Sequence, residues 1–265
     1  MNAVPFWCKF DHCCSFEQTH PIHVYCKDHG CAAKAENTRR RALRTIAEQD
    51  EELWQLQESR KLARATTMAQ KNQWILANKR IAMFDLETYD LAADFGIIFI
   101  GCIKTYGVDE VFKYVMKPGD PVTMDHQTIL EIRDTLESYD YVCTYNGTKF
   151  DLPYLNTRLL IHGERPLAAI RHKDLYFTAK SHLRLGSKRL AAVEMALFGE
   201  GAKTAILPGY WAKALQGSKF HLDYILDHCV KDVEVLERVF TKLQGFINMA
   251  STPLKLYGAG YGLSF

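Results

Sequence analysis

The rhythm of apolar and polar positions along the chain changes twice, and each stretch predicts a different kind of structure. From about Glu36 to Lys79 the sequence is highly charged, lacks Gly and Pro, and spaces Leu43, Ile46, Leu53 and Leu56 at intervals of three and seven. Apolar residues that return at those intervals share one helical face, so this segment predicts one helix or two. From Arg80 the pattern shortens. Ile81-Ala82-Met83-Phe84 is an apolar run that ends at acidic residues, and Ile97 to Ile103 is another. Short continuous runs of this kind predict buried strands. Val111 to Val115 alternates as a third strand, Asp125 to Leu136 predicts a helix, and Tyr141 to Tyr145 predicts a fourth strand stopped by Asn146-Gly147.

The remainder reads as mainly helical. Asp151 to Leu160 accommodates Pro153 in its first turn, Asp174 to Leu183 follows, Leu190 to Phe198 is closed by Gly199, and a long final helix runs roughly from Leu222 to Phe246. Strands first and helices after, with helices available to cover a sheet, predict an α/β domain. The expected organisation is a Cys/His-rich segment over 1–33, a charged helical arm over 34–79, the α/β domain over 80–250 and a tail over 251–265.

Composition adds bounds. With 265 residues, 48% of them hydrophobic, the chain can bury a substantial core. A formal charge of +2 neither demands nor excludes a polyanionic partner, so nucleic-acid binding would have to come from local patches. No apolar stretch is long enough to span a membrane, and Asp, Lys and His interrupt the start where a signal peptide needs an apolar core. The expectation is a soluble, intracellular, cytoplasmic protein without membrane association.

Of eight cysteines, Cys8, Cys13, Cys14, Cys26 and Cys31 crowd the start, whereas Cys102, Cys143 and Cys229 are scattered in apolar surroundings. That asymmetry favours a local metal site over disulfides. Cys8, Cys13, Cys26 and Cys31 would supply four thiolates for a tetrahedral structural Zn²⁺, a small zinc knuckle. His12, His20, His23 and His29 are alternative ligands, and free thiols in an unstructured arm are the rival reading.

The candidate chemistry lies in carboxylates. Asp85 and Glu87 stand two apart at the end of the first strand, where a period of two aims both to one face. Asp151 opens a helix after the polar turn of Tyr145-Asn146-Gly147-Thr148-Lys149-Phe150. In His228-Cys229-Val230-Lys231-Asp232 an offset of four stacks His228 and Asp232 on one helical face. Taken singly, these are a solvated strand end, a helix N-cap and a surface pair.

In combination they resemble the DEDD superfamily of 3′-to-5′ exonucleases, also called DnaQ-like, which has an RNase H-like fold and includes polymerase proofreading domains. Phe84-Asp85-Leu86-Glu87-Thr88 looks like its first motif, and Tyr145 to Tyr154 is similar to the second motif of family B DNA polymerase proofreading domains and bacterial RNase H-like relatives. Asp174-Leu175-Tyr176, Ser187-Lys188-Arg189-Leu190 and Leu197 to Lys203 resemble the spacer of the same relatives, and the likeness covers about residues 80–245. The resemblance implies an RNase H-like mixed sheet flanked by helices. It implies that Asp85, Glu87, Asp151 and Asp232 hold two divalent cations, Mg²⁺ or Mn²⁺, and that His228 handles the attacking water. The histidine subgroup usually places four residues between His and Asp, so His228 occupies the register that usually carries Tyr.

Phosphodiester hydrolysis wants such an arrangement, because two cations held by hard carboxylate oxygens can activate water and stabilise both the attacking and the leaving oxygen. Asn146 and Phe150 are candidates to hold the terminal nucleotide by hydrogen bonding and stacking, with a turn Asn and a core Phe as the plainer readings. Lys188, Arg189 and Lys203 are candidate phosphate ligands, with solvated surface charges as the plainer reading. Arg39, Arg40, Arg41, Arg44, Arg60, Lys61 and Arg64 could guide DNA towards the nuclease, with a mixed-charge solvated helix as the plainer reading. The final Tyr261-Gly262-Leu263-Ser264-Phe265 faintly resembles the short hydrophobic peptides that bind bacterial sliding clamps, with a frayed tail as the favoured, plainer reading.

The expected function is therefore a metal-dependent 3′-to-5′ exonuclease acting on single-stranded DNA 3′ ends in replication or repair. The polymerase Asp-Thr-Asp signature is absent, so synthesis would fall to a partner polymerase. The rivals are a structure-specific endonuclease, an RNA-trimming exonuclease, and a binding module without turnover.

Overall fold

The computed structural model of the chain describes residues 6–7, 15–16, 31–117, 124–199, 201 and 206–255. Two compact units divide the chain, Met1–Thr67 and Met68–Phe265. The first contains the paired antiparallel strands β1 (Phe6–Trp7) and β2 (Ser15–Phe16) and most of helix α1 (Cys31–Asn78). Cys8, Cys13, Cys26 and the four early histidines lie outside the described residues, and Cys31 is the first residue of α1.

Helix α1 is one element of 48 residues rather than two, as a segment without Gly or Pro permits. Leu43, Ile46, Leu53 and Leu56 remain 46–56% exposed, so their spacing marks a helix but not a buried face. The last turns of α1 belong to the second unit. There Asn72 is buried and accepts a hydrogen bond from the Met249 amide at 2.9 Å, and Ile75 joins the core.

Strands β3 (Ile81–Thr88), β4 (Ile98–Thr105) and β5 (Val111–Val115) form an antiparallel meander. Helix α2 (His126–Glu137) then leads to β6 (Tyr141–Thr144), which pairs with β3 in parallel. Helix α3 (Asp151–Ile161) crosses to β7 (Ile170–Asp174), parallel to β6. Helices α4 (Leu175–His182), α5 (Leu190–Phe198), α6 (Pro208–Leu215) and α7 (Lys219–Leu243) follow, then a 3₁₀ turn (Gln244–Phe246) and strand β8 (Leu254–Lys255) on the edge. The mixed sheet has the order β5-β4-β3-β6-β7-β8, flanked by helices, the predicted α/β class.

Burial on both faces explains the continuous apolar strands. Ala82, Phe84 and Leu86 of β3 pack with Ile129 and Ile132 of α2 and Leu152, Leu155 and Leu159 of α3. Ile81 and Met83 point the other way, into a second core with Ile225, Cys229, Val233 and Phe240 of α7. Strand alternation therefore commits Asp85 and Glu87 to the α7 side before any site is considered.

Two expectations require correction. The region after Asn146-Gly147 is not simply helical, because β7 and β8 extend the sheet. The sequence Ile170-Arg171-His172-Lys173-Asp174 carries little strand signal of its own; it is fixed by pairing, Thr144 opposite Asp174, and by a 2.8 Å hydrogen bond between Thr144 Oγ1 and His172 Nε2. The final helix begins three residues early, at Lys219, and gives way at Gln244 to the 3₁₀ turn.

Candidate active site

The acids meet at the carboxyl ends of the strands, the usual place for a site in an open α/β sheet. Asp85 and Glu87 lie in the second half of β3. Asp151 begins α3 just past β6, and its Oδ1 accepts from the Leu86 amide at 3.0 Å, which fixes the two elements to each other. His228 and Asp232 sit one helical turn apart on α7, both 5% exposed. His228 Nε2 lies 3.7 Å from Glu87 Oε1 and 3.7 Å from Asp232 Oδ2. The Cys229 thiol stands 3.7 Å from Asp85 Oδ2, so α7 touches both acids of β3.

Burial concentrates charge here. The Asp151 carboxyl is pushed up to about 7, mainly because burial disfavours its anion, with the negative charges of Asp174 and Asp232 adding to the effect. Glu87, His228 and Asp232 offer ligand atoms that all lie within 4.8 Å of one another. The carboxylates of Glu87 and Asp232 fit a small divalent cation with His228 beside them, and a cation would relieve the repulsion imposed on Asp151.

A cleft of about 730 Å³ opens onto Asp85 and Asp232, lined also by Tyr145, Asn146, Tyr176, Lys188 and Arg189. Its floor is a tight turn. Asn146 adopts φ 68°, and a Cβ on Gly147 would come within 2.4 Å of Thr144 Oγ1, so glycine is required by close approach. Asp174 holds this turn from below. Its Oδ1 accepts from the Asn146 amide at 2.8 Å and the Tyr176 amide at 3.0 Å, and its Oδ2 accepts from the Thr148 amide at 2.9 Å. The Tyr145 hydroxyl donates to the Lys188 carbonyl at 2.6 Å and ties the turn to the basic wall; burial raises its pKa, so it stays neutral.

Of the sequence candidates, Glu87, His228 and Asp232 converge directly, and Asp85 and Asp151 adjoin them. Asn146, Lys188 and Arg189 line the cleft. Phe150 does not: its ring packs 5.4 Å from Tyr154, against the core shared by α2 and α3. Lys203 and the tail over 261–265 lie outside the described residues. Asp174 as the clamp of the turn, and Tyr176 as part of the wall, were visible in sequence only as a spacer. The strand that places Asp174 opposite Thr144 carries no apolar signal to reveal it.

The family model described as RNase_H superfamily matches residues 82–244, the span from β3 to the end of α7. The chain belongs to the RNase H superfamily. Membership supports a nuclease in general terms: a phosphodiester hydrolase acting on nucleic acid, of a kind that generally uses divalent metals. Among solved structures, this superfamily member is similar to the family B DNA polymerase from the hyperthermophilic archaeon Pyrobaculum calidifontis, with a TM-score of 0.52 and 18% identity over 63% of this chain and 24% of that one. A likeness at that identity speaks to the fold, and the chain spans about a quarter of the polymerase's length. No curated protein matches the chain. Among the described residues, no helix is long and apolar enough to cross a membrane.

Proposed function

We propose that the protein is a metal-dependent 3′-to-5′ exonuclease of the DEDD type, acting on DNA, with Asp85, Glu87, Asp151 and Asp232 as the ligands of two divalent cations. The observation that carries this reading is the convergence of Glu87, His228 and Asp232 beside the buried Asp151, at the end of a cleft walled by Lys188 and Arg189. Two bound cations would supply Lewis acidity at the phosphoryl oxygens and make water more acidic.

The protein's own groups account for the rest. His228 Nε2, positioned between Glu87 and Asp232, is placed to take the proton of the attacking water, and the two carboxylates stabilise the imidazolium that forms. Asn146, fixed by Asp174, presents its amide side chain to the terminal nucleotide. Lys188 and Arg189 stabilise phosphate charge along the wall.

Single-stranded DNA labelled at the 3′ or the 5′ end, incubated with Mg²⁺ or Mn²⁺ and resolved on a gel, tests the reading. A ladder that shortens from the 3′ end and vanishes with EDTA is expected. Internal cuts would replace the proposal with an endonuclease, trimming confined to a matched RNA would replace the substrate, and binding without cleavage would leave a binding module.

A further inference from the structure

A second cleft, of about 390 Å³, lies beside the candidate active site and shares with it Asp174, whose two carboxylate oxygens are taken up by the amides of the turn and the α4 start. Its lining includes Thr148, Lys173, Thr178, His182 and Phe246. Asn146 borders the first cleft and Thr148 the second, so the turn that carries both is a wall common to the two. That wall is rigid, because Asp174 holds the amides of Asn146 and Thr148 at 2.8 and 2.9 Å.

The chemistry of the second cleft matches a nucleotide. The rings of His182 and Phe246 stack face to face at 4.8 Å with 15° between their planes, so each covers one face of the other and the outer faces of the stack are the flat platform. Phe246 is 49% exposed, so the platform meets solvent instead of filling a core. Flat aromatic surfaces of this kind take up unpaired bases without regard to sequence. Lys173 brings a cation, and Thr148 and Thr178 bring hydroxyl groups, the side chains that contact phosphate and sugar. The volume suits one small ligand unit.

We propose that this cleft is a second nucleotide site, which holds the substrate strand on the 5′ side of the nucleotide being released. The inference rests on the reading of the first cleft as the seat of the 3′ terminal nucleotide, since every other nucleotide then lies on its 5′ side. The platform takes a base of the strand while Lys173 faces its backbone. The enzyme accordingly favours substrates long enough to fill both clefts.

The test compares two substrates in the wild type and in a variant carrying Phe246→Ala and Lys173→Ala. The p-nitrophenyl ester of thymidine 5′-phosphate fills only the first cleft, whereas octathymidylate reaches both. The variant should lose about tenfold in kcat/KM on octathymidylate, chiefly through KM, and stay within about twofold of the wild type on the ester. Equal loss on both substrates, or no loss on either, overturns the second site. Equilibrium binding of fluorescein-labelled octathymidylate in EDTA gives a reading independent of turnover. About tenfold weaker binding by the variant sustains the site even if neither substrate is cleaved, a result that would sink the exonuclease reading alone; equal binding overturns it. The milder pair Phe246→Leu and Lys173→Gln reads the same difference should the alanine variant fail to fold.

Discussion

Replacing Asp151 by Asn should make the metal-free protein more stable while abolishing cleavage. Burial, together with Asp174 and Asp232, raises this carboxyl from an ordinary 3.8 to about 7. The folded state therefore holds the proton more tightly than the unfolded chain. Stability from this group is fully present below pH 3.8 and is lost as pH rises through about 7. At about 1.4 kcal/mol per pH unit, the gap corresponds to about 4 kcal/mol once the group is ionised in both states. About 2–3 kcal/mol of that accumulates between roughly pH 5 and pH 8. Asn cannot ionise, and its side-chain oxygen can still accept from the Leu86 amide. For a unit of this size each kcal/mol moves the melting temperature by about 2–4 °C. The melting advantage of Asp151→Asn in EDTA should consequently widen by about 5–10 °C over that pH range. Scanning calorimetry or circular dichroism provides the assay. Mg²⁺ should raise the melting temperature of the wild type at the alkaline end, and raise that of the variant far less. A melting gap that stays constant with pH, or a variant less stable than the wild type at about pH 8, would refute the electrostatic reasoning.

The neighbours of this group make further predictions. Asp174→Ala leaves three amides of the turn and the α4 start without their acceptor, and should cost about 2–3 kcal/mol in thermal melts. Its cleavage rate should fall through kcat as Asn146 loses its position. His228→Ala should slow cleavage about a hundredfold or more and alter the acid side of the pH–rate profile, whereas an unaltered profile would remove His228 from proton transfer. On the opposite face of the sheet, Arg158 pairs with the fully buried Asp125 at 2.8 Å. Arg158→Met leaves that carboxylate with His162 at 2.9 Å and the Ile98 amide as its remaining partners, and should destabilise by about 2–4 kcal/mol in urea titration, with cleavage per folded molecule unchanged.

The sequence alone marked the four strands at the centre of the sheet and the spacing that places acids on them. The apolar runs at Ile81 and Ile97 could form only strands covered on both faces, and a period of two forced Asp85 and Glu87 to one side of β3. A period of 3.6 did the same for His228 and Asp232 on α7, and Gly199 closed α5 in the left-handed conformation, as its position after Phe198 predicted. Each of these follows from spacing within a single element.

Tertiary structure decided whatever depends on which elements become neighbours. Strand β7 exists because β6 offers it a partner, and only that pairing brings Asp174 beneath the turn at Asn146. The raised Asp151 carboxyl depends first on burial beneath packed elements and then on charges 23 and 81 positions away in the chain, at Asp174 and Asp232, which no local pattern connects. Phe150 could face substrate or core with equal ease in a sequence motif; in the fold its half-buried ring lies against Tyr154, outside the lining of the first cleft. The second cleft is of the same kind, because its platform joins His182 at the end of α4 to Phe246 past α7, two rings that only the packing of helices around the sheet can stack.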